Sequence, residues 1–476
     1  MAFGGRLTRE AAIYAAGLGA SAFLQFLAVP IYARSFGPQT YSLIPLAVAV
    51  SGAVSGLLLV GGDVVLSRFW FDVLGAARRS LALTWLLFLL VWSLIGAGVA
   101  ILLVPVVASW FPDSADLSTP LILAIAALVP AQASRMLAQV LRNSFRPLAM
   151  ATTGVVVGAL SVGLGLVLGV QLGWGVPGVF WGLVIGELGG CVLRLPLVIS
   201  DLRGPFRPSV LPPLLRFGLP FIPATVAMWA FTGTDRIAVG SILGVTPLGG
   251  YGVASTLALP FTLVVVALGQ AWIPRIVDLY EGAPTESLRA AATALEVSLL
   301  VFGAAAVLLT AAAPWAVAVV GGPGYESGAI ALPLLALGGA FQGTTLFTAT
   351  GYTLAKRSGM VPVITLVAAG LNVLMLAIFV PAWGIVGAAT AVAASYCLLT
   401  VGMLWYSQVQ LPMPIRWKRL AAAASPITAL VVWATVQPQS MWIVPACVLM
   451  ASGLIAWAWW TLRQGVQSPT AAQPVP

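Results

Sequence analysis

The chain has 476 residues, 60% of them hydrophobic and only 7% charged, with a mean hydropathy of +1.04. No water-soluble chain of this length carries such a balance on its surface, so the composition excludes a soluble globular protein and specifies a polytopic membrane protein. The absence of histidine excludes His-ligated metals, and Cys191, Cys397 and Cys447, far apart in apolar runs, argue against a zinc site or a disulfide framework.

A helical span needs ~20 predominantly apolar residues, and such runs follow one another along the whole chain. They fall near 11–33, 41–65, 81–109, 119–141, 148–170 and 177–199, then 216–241, 248–272, 290–320, 329–353, 360–380 and 383–407, and finally 418–436 and 441–462. The first run exceeds a signal-peptide core in length and holds Gln25, so it reads as a retained helix. The predicted fold is therefore all-α and polytopic, with about 14 transmembrane helices. Residues 1–200 make one six-helix lobe, 201–215 an Arg- and Pro-rich cytoplasmic linker, 216–410 a second six-helix lobe, 411–463 two further helices, and 464–476 a disordered cytoplasmic tail.

The net charge of +9 does not point to nucleic acid, because the basic residues track topology. Of the 22 Lys and Arg, all but Arg34 and Arg236 group at the N-terminus, the even-numbered loops or the C-terminus. By the positive-inside rule both termini are cytoplasmic and the odd loops face outward.

The two halves align at an offset of 207 to 210 residues. Tyr41 maps to Tyr251, Arg68 to Arg275, Gln132 to Gln342, RNSFRPLAM at 142–150 to YTLAKRSGM at 352–360, and WGVPGVFWG at 174–182 to WGIVGAATA at 383–391. Six-span halves keep one orientation, so the lobes are expected to be parallel repeats about an axis along the membrane normal, as in transporters.

Charges within spans mark the candidate site, because an ionisable group in hydrocarbon is retained for function by default. The fourth span carries Gln132, Arg135, Gln139 and Arg142 at i, i+3, i+7 and i+10, one helical face, with Asn143 and Arg146 beyond. Guanidinium groups bind phosphate oxygens bidentately and stay charged, which suits a diphosphate; the alternative is that Arg142 and Arg146 are positive-inside anchors. In the seventh span Asp235 and Arg236 are adjacent and so point about 100° apart, which rules out an ion pair between them. Asp235 is expected to pair with Arg34 at the outer end of the first span, while Arg236 faces substrate or snorkels outward. Glu187, seven residues from Arg194 on one face of the sixth span, and Glu296 in the ninth are candidates for H⁺ or Na⁺ coupling or, equally, neutral acids hydrogen-bonded to a neighbouring helix. Gly182, Gly186 and Gly190, like Gly154 and Gly158, form small-residue faces for helix packing. Pro30, Pro130, Pro220, Pro223, Pro260 and Pro333 lie inside spans as kinks, Pro30 being the hinge candidate.

The segments FGPQTYSL after the first span, GGDVVLSRFW after the second and DRIAVGSILGVTPLGGYGVA in the seventh and beyond together resemble polysaccharide flippases of the Wzx type. The resemblance runs over residues 8 to 410, with Tyr41-Ser42 standing where Tyr-Gly is common. It implies membership in the multidrug/oligosaccharidyl-lipid/polysaccharide (MOP) exporter superfamily, two lobes around a cationic cavity, and alternating access. The implied substrate is a polyprenyl-diphosphate (undecaprenyl) oligosaccharide, an O-antigen, capsule or exopolysaccharide unit, moved to the outer leaflet of the bacterial cytoplasmic membrane. Membrane lipids, polysaccharide polymerase and glycosyltransferases are the implied partners. No cofactor is expected, with coupling to H⁺, Na⁺ or membrane potential left open. The alternatives are a lipid II flippase of the same superfamily, a multidrug/cation antiporter, which would want acidic rather than basic lining, and a membrane glycosyltransferase or polymerase. An enzyme is disfavoured because the short outer loops offer only Asp113, Asp116 and Glu326, and no GxxxxGK[ST] loop is present for ATP.

Overall fold

The computed structural model describes residues 2–111 and 116–467, without the side chains of residues 2–15, 18, 270 and 465–467. Residues 464–467 of the expected disordered tail continue α17 as helix; the rest of that tail, and Asp113, lie outside the described residues. All regular structure among the described residues is helical, as a chain this apolar requires: in a bilayer the backbone must satisfy its own hydrogen bonds, and a helix does so along its axis.

The helices are α1 (Ala2–Tyr41), α2 (Leu43–Leu59), α3 (Gly62–Trp70), α4 (Gly75–Leu102), α5 (Val104–Ala108), α6 (Ser118–Asn143), α7 (Pro147–Leu166), α8 (Gly175–Leu202), α9 (Leu211–Gly218), α10 (Phe221–Ile242), α11 (Val245–Gly282), α12 (Pro284–Val320), α13 (Ser327–Thr348), α14 (Thr350–Leu354), α15 (Val361–Gln410), α16 (Trp417–Val436) and α17 (Ile443–Gln467). Among the described residues 11 are long and apolar enough to cross a membrane, or 12 if the bent pair Pro208–Gly218 and Phe221–Ile242 is one span. The expected fourteen would further need α1 to cross once and α15 twice. α15 has 50 residues and is broken at Gly384, where φ is 60° and ψ −138°. At 1.5 Å per residue such a helix would be ~75 Å long, against a hydrocarbon core of ~30 Å. The two spans predicted at 360–380 and 383–407 thus share one helical stretch that turns at a glycine instead of a loop. The seventh span, predicted from 216, is bent: the chain turns by 50° between α9 and α10, with Pro220, one of the prolines expected to kink a span, as the α10 N-cap.

The chain forms two compact units. Unit 1 comprises Met1–Thr256, Val319–Tyr325 and Val373–Ala388; unit 2 comprises Leu257–Ala318, Glu326–Asn372 and Ala389–Pro476. In unit 1, α8 lies against α7 through its glycines. A Cβ on Gly182 would sit 2.2 Å from Gly165 N, and one on Gly186 would sit 2.8 Å from Ser161 Cα. α1 follows α7, with the Ser21 hydroxyl donating to Gly154 O at 3.2 Å, and α10 follows α2, where the Trp229 indole donates to Ala49 O at 2.8 Å. One end of the unit is closed by a core of Val65, Leu66, Trp70, Trp85, Met136 and Leu214. The 201–215 link is tied down on it: Ser80 donates to Pro205 O at 2.5 Å and the Arg207 amide to Thr84 Oγ1 at 3.0 Å.

Unit 2 is packed the same way. Gly339 and Gly343 of α13 face the rings of Phe261 and Phe302, and the Ser407 hydroxyl donates to Thr348 O at 2.5 Å while accepting from the Tyr352 amide at 3.2 Å. Gly303 of α12 lies against Ile427 of α16, where a Cβ would come within 2.4 Å. Gly182→Ala should therefore lower the melting temperature of the purified protein, overpacking costing ~1–3 kcal/mol. Gly163→Ala, facing open space, should leave it unchanged; equal melting of the two variants would overturn the close α7/α8 contact.

Candidate functional site

On α6 the expected stripe is divided by the fold. Gln132 and Gln139 are buried, each 4% exposed, whereas Arg135 and Arg142 are exposed. At 100° per residue the two arginines lie some 60° to 80° round from Gln132, far enough to leave the protein interior while the amides stay in it. The Gln139 amide is the hub: its Nε2 donates to Ser67 Oγ at 2.6 Å and to Asn143 Oδ1 at 2.9 Å, and its Oε1 accepts from Arg142 Nη2. Ser67 in turn donates to Asn143 Oδ1 at 3.2 Å. Arg142 is thus held by a neutral amide. Among the described residues the ion pairs are Arg68–Asp72, Arg146–Asp201 and Arg419–Glu296, so neither Arg135 nor Arg142 is neutralised by a carboxylate. Gln132 Nε2 is buried without a hydrogen-bond partner.

A second polar group lies where α1, α10 and α11 meet within unit 1. Asp235 is 4% exposed and its Oδ2 accepts from the Tyr251 hydroxyl at 2.7 Å; Oδ1 is buried without a partner. Arg236 is half-buried, donating to Thr232 O and, at 3.1 Å, to Ser255 Oγ. The expected Asp235–Arg34 pair is not formed. Arg34 instead donates to Val319 O, because the 319–325 segment belongs to unit 1 and reaches the end of α1 through a turn with Gly322 and Gly324 at φ 84° and 89°. Tyr325 fixes that turn by donating to Ala33 O at 2.7 Å, its ring edge-on to Tyr41 at 5.8 Å. Burial, with a smaller push from Tyr41, raises the Tyr325 phenol above its usual range, which keeps it protonated and a donor. Gln25 is exposed on α1.

Glu187 is half-buried and forms no ion pair with Arg194. Arg194, 7% exposed, is met by Thr153 Oγ1 at 3.2 Å, Ser134 O at 3.2 Å and Ser134 Oγ. In unit 2, Glu296 is 4% exposed, pairs with Arg419 of α16 at 3.7 Å and accepts from Thr461 of α17 at 3.3 Å. Sequence reasoning missed Ser67, Tyr251 as the partner of Asp235, and Arg419. Each lies on a different helix from the group it serves, and no local spacing reveals such a partner.

Residues 33–329 match a family described as polysaccharide biosynthesis protein. Among solved structures the chain is similar to the lipid II flippase MurJ in an inward closed conformation, with a TM-score of 0.73 and 13% identity over 95% of this chain and 99% of that one. It is also similar to a multidrug resistance MATE family transporter of the MOP superfamily in an inward-facing conformation, at a TM-score of 0.64 and 15% identity over 85% and 96% of the chains. A MOP superfamily transporter from Pyrococcus furiosus gives 0.58 and 14% over 88% and 96%. At these identities the likeness is one of fold. No curated protein matches the sequence.

Removing the Tyr251 hydroxyl should expose the dependence of Asp235 on it. Tyr251→Phe leaves a buried carboxylate short of its donor, a cost of ~1–3 kcal/mol or more, visible as a lower melting temperature that Asp235→Asn in the same chain partly restores. A Tyr251→Phe protein as stable as wild type would refute the contact.

Proposed function

Because the chain belongs to the polysaccharide biosynthesis protein family and has the fold of MOP-superfamily transporters, we propose that it is a flippase of the Wzx type. It moves polyprenyl-diphosphate-linked oligosaccharide from the inner to the outer leaflet of the bacterial cytoplasmic membrane by alternating access. The observation that carries this reading is the pair of exposed arginines on α6, Arg135 and Arg142, neither neutralised by a carboxylate among the described residues. Arg142 is oriented through Gln139 by a buried amide and hydroxyl network, so its remaining N–H groups are free for the oxygens of a diphosphate. A cationic drug would be repelled from the same face. Arg135 lies two turns before the end of α6, about 12 Å along the axis, which gives the head group two successive cations. An inside-negative potential favours outward transfer of the anionic head group by ~2.3 kcal/mol per charge per 100 mV.

Gln25, Arg34, Gln132, Asp235 and Arg236 complete the proposed substrate-contacting set, with Asp235 and Arg34 acting through their present partners rather than each other. Glu187 and Glu296 are retained as coupling candidates, although Glu296 already has Arg419 and Thr461 as partners. The division into two six-helix lobes, 1–200 and 216–410, with a C-terminal pair, rests on the aligned half-sequences. Both termini are placed in the cytoplasm by the distribution of arginine.

The lipid II flippase named among the structural neighbours favours a second reading within the same chemistry, since lipid II is also a polyprenyl diphosphate. Both are tested in proteoliposomes holding fluorescent lipid-linked oligosaccharide, lipid II or a cationic dye. Wild type should flip one of the lipids, and Arg135→Ala and Arg142→Ala should each slow it about 10- to 100-fold, the loss of a charge-assisted bond of ~1.5–3 kcal/mol. Arg68→Ala, removing an exposed arginine paired with Asp72, should not. Movement of the dye but of neither lipid would overturn the assignment. For topology, a cysteine replacing Gln439 in the exposed turn between α16 and α17 should label from outside intact cells, and one replacing Arg357 should not.

A further inference from the structure

The C-terminal helices carry a group of cations that the transport reading leaves unused. α16 opens on Trp417-Lys418-Arg419, preceded by Arg416, and α17 ends in a stretch containing Trp459, Trp460, Thr461 and Arg463. Arg419 joins the two ends. Its guanidinium carbon lies 4.9 Å from the centre of the Trp460 ring, and its Nη1 lies 3.7 Å from Glu296, which also accepts from Thr461 at 3.3 Å. The start of α16 and the end of α17 are therefore side by side, on the same end of unit 2.

This brace uses its carboxylate inward and leaves three cations outward. Arg416, Lys418 and Arg463 are exposed, and none forms an ion pair among the described residues. Arg463 is stacked over Trp459, its guanidinium carbon 4.8 Å from the ring centre, which orients it without using its N–H groups. Large apolar rings flank the cations: Trp417, Trp459 and Trp460 are 58%, 59% and 46% exposed. Tryptophan beside arginine and lysine at a helix end marks the level of lipid head groups. A soluble anion would make no use of the rings.

We propose that Arg416, Lys418 and Arg463 form a binding site for the phosphate of an anionic phospholipid of the phosphatidylglycerol class, with Trp417 and Trp459 packing along its glycerol and upper acyl chain. The lipid belongs to the leaflet at which α16 begins and α17 ends. The charge complementarity is direct: basic groups clustered at a helix end bind anionic head groups, where a neutral zwitterion offers no net attraction. The Glu296–Arg419 pair holds the two helix ends together and so fixes the spacing of the cations.

The test uses the full chain and pure lipids. Native mass spectrometry at equal mole fractions should show wild type retaining phosphatidylglycerol over phosphatidylcholine, and thermal unfolding in nanodiscs should shift upward with the anionic lipid. The triple variant Arg416→Gln/Lys418→Gln/Arg463→Gln, which leaves the Glu296 brace intact, should lose that preference about tenfold or more. The triple Arg203→Gln/Arg207→Gln/Arg216→Gln, removing equal charge from exposed positions elsewhere, should keep it. Should the first triple not fold, Arg416→Gln/Arg463→Gln should show a smaller loss in the same direction. The proposal is overturned if wild type has no preference, if both triples lose it equally, or if millimolar glycerol phosphate displaces the lipid, which would make this a site for a soluble anion.

Discussion

An unpaired backbone amide or carbonyl in hydrocarbon costs several kcal/mol, and the architecture follows from avoiding that cost. Helices meet it within themselves, but lipid tails are as apolar as leucine, so burying leucine does not decide which helices touch. What decides is close approach. Gly182 and Gly186 of α8 come against Gly165 and Ser161 of α7 at distances that exclude a Cβ, and hydroxyls reach across to carbonyls, as from Ser21 to Gly154 and from Ser407 to Thr348.

The same constraint sorts the charges. Arg194 is enclosed and met by serine and threonine, Asp235 by a tyrosine, and Glu296 by an arginine and a threonine. Each is a buried charge met by at least one polar group of another helix, although Asp235 Oδ1 keeps no partner. Arg135 and Arg142 are different: they are turned out of the protein interior with no carboxylate among the described residues to answer them, while the amides one step round the helix are turned in. A helix face that is polar on both edges but charged only on the outer one is built to present cations. That division is what the proposed recognition of an anionic head group at α6 rests on.

Breaks in the helices lie where the backbone can leave αR cheaply or is held out of it by packing. α2 and α3 are separated by Val60 and Gly61 at φ 46° and 61°. Opposite them, α9 and α10 part at Leu219-Pro220, and Gly218 approaches Val60 O so closely that a Cβ would lie 2.5 Å away. A β-branched residue in the left-handed region is costly, and the core of Val65, Leu66 and Leu214 around Val60 holds it there. Gly37 and Gly384 turn α1 and α15 without loops.

By itself the sequence determined the class of protein, because 7% charge admits no other solvent than lipid, and it determined the helical content and most span positions, because those depend only on local apolar length. It also marked Arg135, Arg142, Asp235 and Glu296, since a charge in an apolar run is visible without a fold. Their partners were decided by tertiary structure alone. Asp235 met Tyr251 and not Arg34, and Glu296 met Arg419, more than a hundred residues away in the chain. Pro220 marked a kink in the sequence, but the 50° angle between α9 and α10 escaped hydropathy, which reads composition along the chain and is blind to backbone angle. Which of the four α6 residues faced outward depended on where α3 and Ser67 lay, a fact that helical periodicity can pose but only packing can answer.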